Sequence, residues 1–176
     1  MNVGYFNAGE TETAGLDVKL DYRFELFGGQ RFLVQNNLTW IERYEVQVGP
    51  GQPVIDGVGR RNSNNPGFPT PEWRDNLTLG WEHDRSSASI TMRYTDSIQD
   101  DVFLPVTAAP VNEIGSWTVF DLQFQQRVGT NERTRLTIGA INAFDRAPPT
   151  ATFTGYISGI ADALGRQAYV RFDHSL

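Results

Sequence analysis

Residues 15–27 read GLDVKLDYRFELF, and this stretch decides the fold class. Apolar and charged residues alternate along it, and the charges themselves alternate in sign. A period of two is that of an extended strand, whose successive side chains point to opposite faces of a sheet. The residues predicted on the uncharged face are Leu16, Val18, Leu20, Tyr22, Phe24 and Leu26. Those predicted on the charged face are Asp17, Lys19, Asp21, Arg23 and Glu25.

The same alternation recurs along the chain and predicts about seven strands. The apolar positions of the later strands include Phe120, Leu122, Phe124, Leu136, Ile138, Val170 and Phe172. Short turns near residues 28–30, 84–86 and 129–131 alternate with long stretches that show no period, at about 45–71, 96–115 and 145–165. The pattern predicts an all-β, antiparallel fold.

Period two alone does not separate a membrane barrel from a soluble β-sandwich, because half-buried strands of soluble sheets alternate in the same way. The strands predicted here are on the order of 10 to 14 residues long, which suits a tilted crossing of the hydrocarbon layer. Short turns on one rim and long loops on the other are typical of bacterial outer-membrane barrels. We therefore predict a transmembrane barrel segment whose uncharged face contacts lipid and whose charged face lines the lumen.

Aromatic residues near the predicted strand ends are candidates for the girdles that barrels place at the membrane interfaces. Packing in a protein core is the alternative for each of them. The residues are Tyr22, Phe24, Trp40, Tyr44, Trp73, Trp81 and Tyr94.

Composition excludes several classes of function. The formal charge of -6 argues against a nucleic-acid partner, since binding to phosphate backbones needs clustered Lys and Arg. The chain has no cysteine, and its two histidines, His83 and His174, lie neither in a metal-ligand spacing nor beside a nucleophile. We expect both histidines at a membrane interface, and we expect no catalytic residue, no metal site and no cofactor. The chain is therefore predicted not to be an enzyme.

Two pairs of charged residues lie in the long stretches. Arg60 and Arg61 are candidates for contact with an anionic ligand, although solvated loop charge is the simpler explanation. Asp100 and Asp101 are expected on a solvated turn, because adjacent carboxylates rarely form an acid/base pair.

From Trp117 the chain reads WTVFDLQFQQRVGTNERTRLTIGAINAFDRAPPT, and it closes with LGRQAYVRFDHSL. Both segments resemble the C-terminal barrel end of TonB-dependent outer-membrane receptors. The residues that carry the resemblance include Asn142, Phe144, Asp145, Pro148, Pro149, Gly165 and Arg166. Asn7–Ala8–Gly9–Glu10 followed by Gly15–Leu16 also looks like this family, so the resemblance covers nearly the whole chain. One departure is the ending in Leu176, where the family usually has an aromatic residue.

The resemblance implies that residues 1–176 form about the last seven strands of a barrel of about 22. Seven antiparallel strands do not close a barrel, so we expect a signal peptide, a TonB box, a plug and the earlier strands to lie outside this sequence. It further implies uptake of a scarce ligand, such as a ferric siderophore, through the outer membrane of a Gram-negative bacterium, with the C-terminus on the periplasmic side.

The partners implied are outer-membrane lipid, the rest of the barrel and its plug, TonB acting through the missing N-terminal part, and a small-molecule ligand. Two other functions stay open from the sequence. One is a non-energised porin or structural barrel, and the other is a soluble β-sandwich binding module.

Overall fold

The computed structural model describes residues 9–63, 65, 68–101, 112–129, 132–151 and 155–175. Its long strands are β1 (Glu10–Leu26), β2 (Gln30–Gln47), β5 (Trp73–His83), β6 (Ser86–Thr95), β9 (Trp117–Val128), β10 (Thr134–Ile141) and β11 (Gln167–His174). Its short strands are β3 (Val54–Asp56), β4 (Arg60–Arg61), β7 (Ile98–Asp100) and β8 (Glu113–Ile114). A single 3-10 turn, Phe27–Gly29, is the helical element in this part of the chain.

The seven long strands form one antiparallel sheet in the order β1-β2-β5-β6-β9-β10-β11. Each long strand pairs with the next long strand along the chain, and β3 adds to the end of β2. The predicted all-β antiparallel fold is therefore confirmed. Within the described residues, β1 and β11 have a long neighbour on one side only, so the sheet is open, as expected of part of a barrel.

The strand register gives the sheet two chemically distinct faces. Residues opposite one another in antiparallel strands lie on the same face. One register row crosses all seven strands at Tyr22, Val34, Leu79, Ile90, Leu122, Ala140 and Ala168. We call this side the apolar face. The residues between these positions form the polar face.

The apolar face is largely exposed. Val170 and Phe172 are 72% and 67% exposed, and Leu20 at mid-strand is 48% exposed. Aromatic rings mark its two ends: Trp40 stacks on Trp73 with ring centroids 5.7 Å apart. At the other end, Phe24 stacks on Phe32 and Trp81 lies opposite Phe32 in the register; the centroids of the two Phe rings are 5.3 Å apart.

The buried core of the described residues lies where the long stretches meet the polar face, not within the sheet. Its residues are Ile98, Ile114, Trp117, Val119, Ala151, Ile160 and Ala161. A second, three-stranded sheet of order β4-β7-β8 belongs to this region. We call residues 57–63, 96–101, 112–116 and 155–163 the loop cluster.

The expectation that 45–71 and 96–115 lack regular structure was wrong in part. The first stretch contains the end of β2 together with β3 and β4, and the second contains β7 and β8. These short strands have two or three residues, too few to display a period, and β4 pairs in parallel with β7 from a distant part of the chain.

Two strands interlock on the polar face at Gly139. A Cβ atom built there would lie 2.5 Å from Cζ and from the hydroxyl oxygen of Tyr169, so the ring occupies the space that a side chain would need. The Tyr169 hydroxyl donates a hydrogen bond of 3.0 Å to Gln123 Oε1, on the next strand. Because Gly139 has no side chain, Tyr169 on β11 reaches across β10 to bond Gln123 on β9.

We predict that Gly139→Ala lowers the free energy of unfolding by about 1–3 kcal/mol, because Tyr169 must leave its position. The measurement is urea unfolding of the complete protein in detergent micelles. Gly115→Ala is the matched control, since no atom lies within 4 Å of a Cβ at that position and its φ is not positive. Equal unfolding midpoints for the two variants would contradict the predicted clash.

Candidate functional site

The charged residues predicted on one side of β1 all lie on the polar face, and the residues predicted on the uncharged side all lie on the apolar face. Hydrogen bonds join β1 to its neighbour across the polar face. Thr39 donates to Asp17 Oδ1 at 2.6 Å, and Gln35 Nε2 donates to Asp21 Oδ2 at 2.8 Å. Assignment of these faces to lumen and lipid stays a prediction.

The loop cluster is held by a buried ion pair between its first and second segments. Arg61 donates two hydrogen bonds to Asp100, of 2.9 Å from Nε and 2.8 Å from Nη2. The two side chains are 6% and 0% exposed. Backbone bonds run beside them, from the N–H of Asp101 to the carbonyl of Arg61 and from the N–H of Gln99 to the carbonyl of Gly59. The ion pair and the backbone hydrogen bonds together hold residues 57–63 against residues 96–101, and we call this set of contacts the clamp.

This geometry corrects two expectations. Asp100 and Asp101 do not lie on a solvated turn, since both residues are buried. Arg61, a candidate for contact with an anionic ligand, is instead buried in its bidentate pair with Asp100. Arg60, the other candidate, has its Nη1 atom 3.7 Å from Asp101 Oδ2. The sequence does not reveal these partners because they are about 40 residues apart.

Burial raises the pKa of Asp101 above its usual range, with Asp100 adding to the rise and Arg60 opposing it. One oxygen of this carboxyl, Oδ1, is buried with no hydrogen-bond partner in the described part of the chain. Asp101 is thus the least well satisfied charge of the clamp.

The motif residue Asn142 organises a tight turn at the end of β10. Its backbone is left-handed, with φ of 48°, and its side chain is buried. The side chain accepts a hydrogen bond of 2.8 Å from the Arg146 N–H and donates one of 2.9 Å to the Arg146 carbonyl. Its own N–H donates to Asp121 Oδ1 on β9, at 2.9 Å.

The other motif residues extend this turn to the neighbouring strands. Asp145 has φ of 57° and accepts a hydrogen bond of 2.8 Å from the Arg166 N–H, next to the start of β11. A Cβ on Gly165 would lie 2.9 Å from the same Asp145 oxygen. Phe144 packs edge-on against Phe120, with ring centroids 5.6 Å apart. Pro148 and Pro149 follow in irregular chain.

His83 and His174 lie at the ends of two different strands, β5 and β11. The ring of His83 lies 6.3 Å from that of Trp81, and His174 Nδ1 is 2.9 Å from the Thr134 hydroxyl. Among the described residues, no group of three or more His, Asp or Glu is arranged to hold a metal ion. That part of the chain also contains no helix of the length and apolarity required to traverse a membrane.

Two of three comparisons with known proteins found a match. The family described as "TonB dependent receptor-like, beta-barrel" matches residues 2–143. None of the curated proteins matches the chain. Three chains of solved structures match, and one is "Copper transporter OprC", with 14% identity and a TM-score of 0.47. The match covers 98% of this chain and 29% of that chain, so the present sequence spans under a third of its length.

We predict that Arg61→Ala destabilises the loop cluster by about 3–5 kcal/mol, because Asp100 keeps its charge in a buried site. Amide hydrogen exchange at Gln99 and Asp101 reports the loss, since both N–H groups bond to the first segment. The matched control is Arg85→Ala, which breaks an exposed pair with Glu132 and should cost about 1 kcal/mol or less. Unchanged exchange in Arg61→Ala would contradict the clamp.

We predict that Asn142→Ala lowers the free energy of unfolding by about 2–4 kcal/mol. The change removes both side-chain bonds to Arg146 and leaves alanine in a left-handed conformation. Asn142→Asp keeps the accepting oxygen and should lose about half as much. Urea unfolding of the complete protein measures both, and an alanine variant as stable as the parent would refute the role given to the turn.

Proposed function

Because the chain belongs to the TonB-dependent receptor-like β-barrel family, we propose that its seven long strands form part of the wall of a bacterial outer-membrane receptor. The receptor takes up a scarce ligand, for which a ferric siderophore is our candidate, with energy passed through TonB. The single observation that carries the proposal is the family match over residues 2–143. The function is transport, and no step of it requires chemistry on the ligand.

The exposed apolar face supports contact with lipid. Monomeric soluble proteins rarely expose an apolar surface this large. In a membrane barrel, such a face contacts the acyl chains of the lipid. From Trp73 to Trp81 the strand advances by about eight residues, which at a tilt of about 40° spans about 20 Å of membrane. Stacked aromatic rings lie at both levels, as interfacial girdles do.

A polar pair at mid-strand on the apolar face is hydrogen-bonded within the sheet. Asn36 Nδ2 donates to Asp75 Oδ1 at 2.5 Å, and both residues lie between apolar neighbours in the register. The polar face carries charged and amide side chains that bond across strands. Its composition supports the lumen assignment, because water is available there.

The open sheet supports placement within a larger barrel. Unpaired N–H and C=O groups cost several kcal/mol each in hydrocarbon, so both edge strands require neighbours there. We propose that β1 and β11 continue into further strands of a barrel of about 22, with this chain supplying its C-terminal part. The short turns and the C-terminus then lie on the periplasmic side, and the loop cluster lies at the outer mouth. Signal peptide, plug and TonB box belong to the rest of the receptor.

A soluble sandwich is disfavoured because no second layer covers the apolar face in the described residues. The test is Leu20→Arg, which puts a charge at mid-strand on that face. We expect loss of membrane assembly of the complete protein in a heat-modifiability gel. Ser89→Arg, on the polar face of β6, is the matched control and should assemble. Normal assembly of Leu20→Arg would argue against lipid contact.

Energised uptake separates a receptor from a passive porin. We expect cells that express the complete protein to accumulate iron-55 supplied as a ferric siderophore, and to lose this uptake when TonB is deleted. The matched control is a cell with TonB but without this protein. Uptake that continues at the same rate without TonB would favour the non-energised barrel.

A further inference from the structure

Asp101, at the end of the second segment of the loop cluster, carries a carboxyl group that its surroundings do not satisfy. Its side chain is 6% exposed, so water does not replace a missing partner. Oδ1 is buried and has no hydrogen-bond partner in the described part of the chain. Oδ2 lies 3.7 Å from Arg60 Nη1, which is an ion-pair distance but is too long for a hydrogen bond. A carboxylate in this setting is both desolvated and unbonded.

The adjacent residue, Asp100, has the opposite environment. Its side chain is fully buried, and each of its oxygens accepts a hydrogen bond from Arg61. The charge of Asp100 is therefore compensated inside the protein by a bidentate partner. Two carboxyl groups that are neighbours in the chain thus differ sharply, because only the first of them has donors.

Arg60 compensates the Asp101 charge in part. The Arg60 side chain is 35% exposed, so water screens the attraction between the two groups. Burial raises the pKa of Asp101 above its ordinary value of 3.8, with Arg60 opposing the rise and Asp100 adding to it. Geometry and charge therefore agree that the ionised form of this carboxyl is disfavoured in the folded cluster.

The ionisable side chains on the other segments of the loop cluster are exposed to solvent, which screens their charges. Residues 112–116 contribute Glu113, and residues 155–163 contribute Tyr156 and Asp162. The stretch that follows Asp101 in the chain, VFLPVTAAPV at 102–111, contains no ionisable side chain. The ionisation of Asp101 is therefore governed by its own burial, by Arg60 and by Asp100.

We propose that Asp101 is a proton-linked latch: the loop cluster closes most tightly when this carboxyl is protonated, and it loosens when the carboxyl ionises. Protonation adds one hydrogen ion from water to a carboxylate oxygen and removes the buried negative charge. Oδ1 is the oxygen that takes the proton, because Oδ2 faces the guanidinium of Arg60. A neutral carboxyl costs less to bury than a charged one, even without a hydrogen-bond partner.

The latch acts on the contact between residues 57–63 and 96–101. The N–H of Asp101 donates to the carbonyl of Arg61 at 2.7 Å, so this residue joins the two segments directly. When the segments separate, water reaches the carboxyl and its pKa returns to the ordinary value. The closed cluster therefore binds the proton more tightly than the open one. Its stability rises as the pH falls through the raised pKa, and it levels off below 3.8.

The test is amide hydrogen exchange of the complete protein in detergent micelles, from about pH 4 to about pH 8. The Gln99 N–H is the reporter, since it bonds to the carbonyl of Gly59 across the two segments. Each rate is compared with that of an unstructured chain at the same pH, which removes the intrinsic pH dependence of exchange. We expect the protection of Gln99 to fall about threefold or more as the pH rises, with a midpoint above 3.8.

Asp101→Asn removes the ionisable group and keeps its shape. This variant should show the same protection of Gln99 at every pH, and more protection than the parent at neutral pH. Asp100→Asn should instead lower the protection throughout, because Arg61 loses its buried counter-charge. Glu113→Gln changes an exposed side chain of the same cluster, and as the matched control it should keep the profile of the parent.

Arg60→Gln checks the assignment without altering the carboxyl itself. Arg60 opposes the rise in the pKa of Asp101, so its loss should move the midpoint of the profile to a higher pH. Arg85→Gln, which removes an exposed arginine paired with Glu132, should leave the midpoint in place.

Three results would each overturn the latch. They are a flat profile in the parent, a slope that persists in Asp101→Asn, and a midpoint that Arg60→Gln does not raise. The first and the third need no change at Asp101, so the test stays decisive if Asp101→Asn does not assemble. Because the exchange measurement involves neither TonB nor a transported ligand, the latch stands or falls separately from the proposed function.

Discussion

The structure depends on the backbone hydrogen-bond ladder of a single antiparallel sheet with two unlike faces. In hydrocarbon, no water replaces a missing partner, so each strand must be paired along its length. Antiparallel neighbours meet this demand for the five internal long strands that the structure describes, which are β2, β5, β6, β9 and β10. Pairing also fixes the register, and the register keeps charged and apolar side chains on opposite faces. Among the described residues the two edge strands, β1 and β11, each lack a neighbour on one side, and this motivates the proposal of a larger barrel.

A single-layer sheet encloses no core, so the buried residues lie outside the space between its strands. Trp117 and Val119 belong to the polar face by position in β9, yet both are buried because the loop cluster covers them. The cluster holds together through its own apolar residues and the Arg61–Asp100 pair. A buried ion pair adds little net stability when the cost of desolvating both charges offsets their attraction, although removal of one partner alone is costly. The described residues of the loop cluster therefore pack together at this end of the sheet.

Asn142 and Asp145, two of the residues that carry the family resemblance, have definite structural roles. Asn142 and Asp145 both adopt left-handed backbone, where short polar side chains are tolerated, and both bond to nearby backbone groups. Asp121 links this turn to β6, because one of its oxygens accepts from the Asn142 N–H and from Arg93 on β6. The turn thus ties β9, β10 and β11 together and is connected to β6 through Asp121.

The local sequence pattern predicted the antiparallel class, the long strands and which of the residues named above share a face of the sheet. It could do so because a period of two is a property of neighbouring residues. The segment around Asn142 predicted the family, because its residues also lie close together in the sequence. The local pattern did not predict the pairings between distant segments, which are Arg61 with Asp100 and β4 with β7. These contacts exist only once the long stretches fold onto the sheet, since no regular spacing connects residues so far apart in the chain.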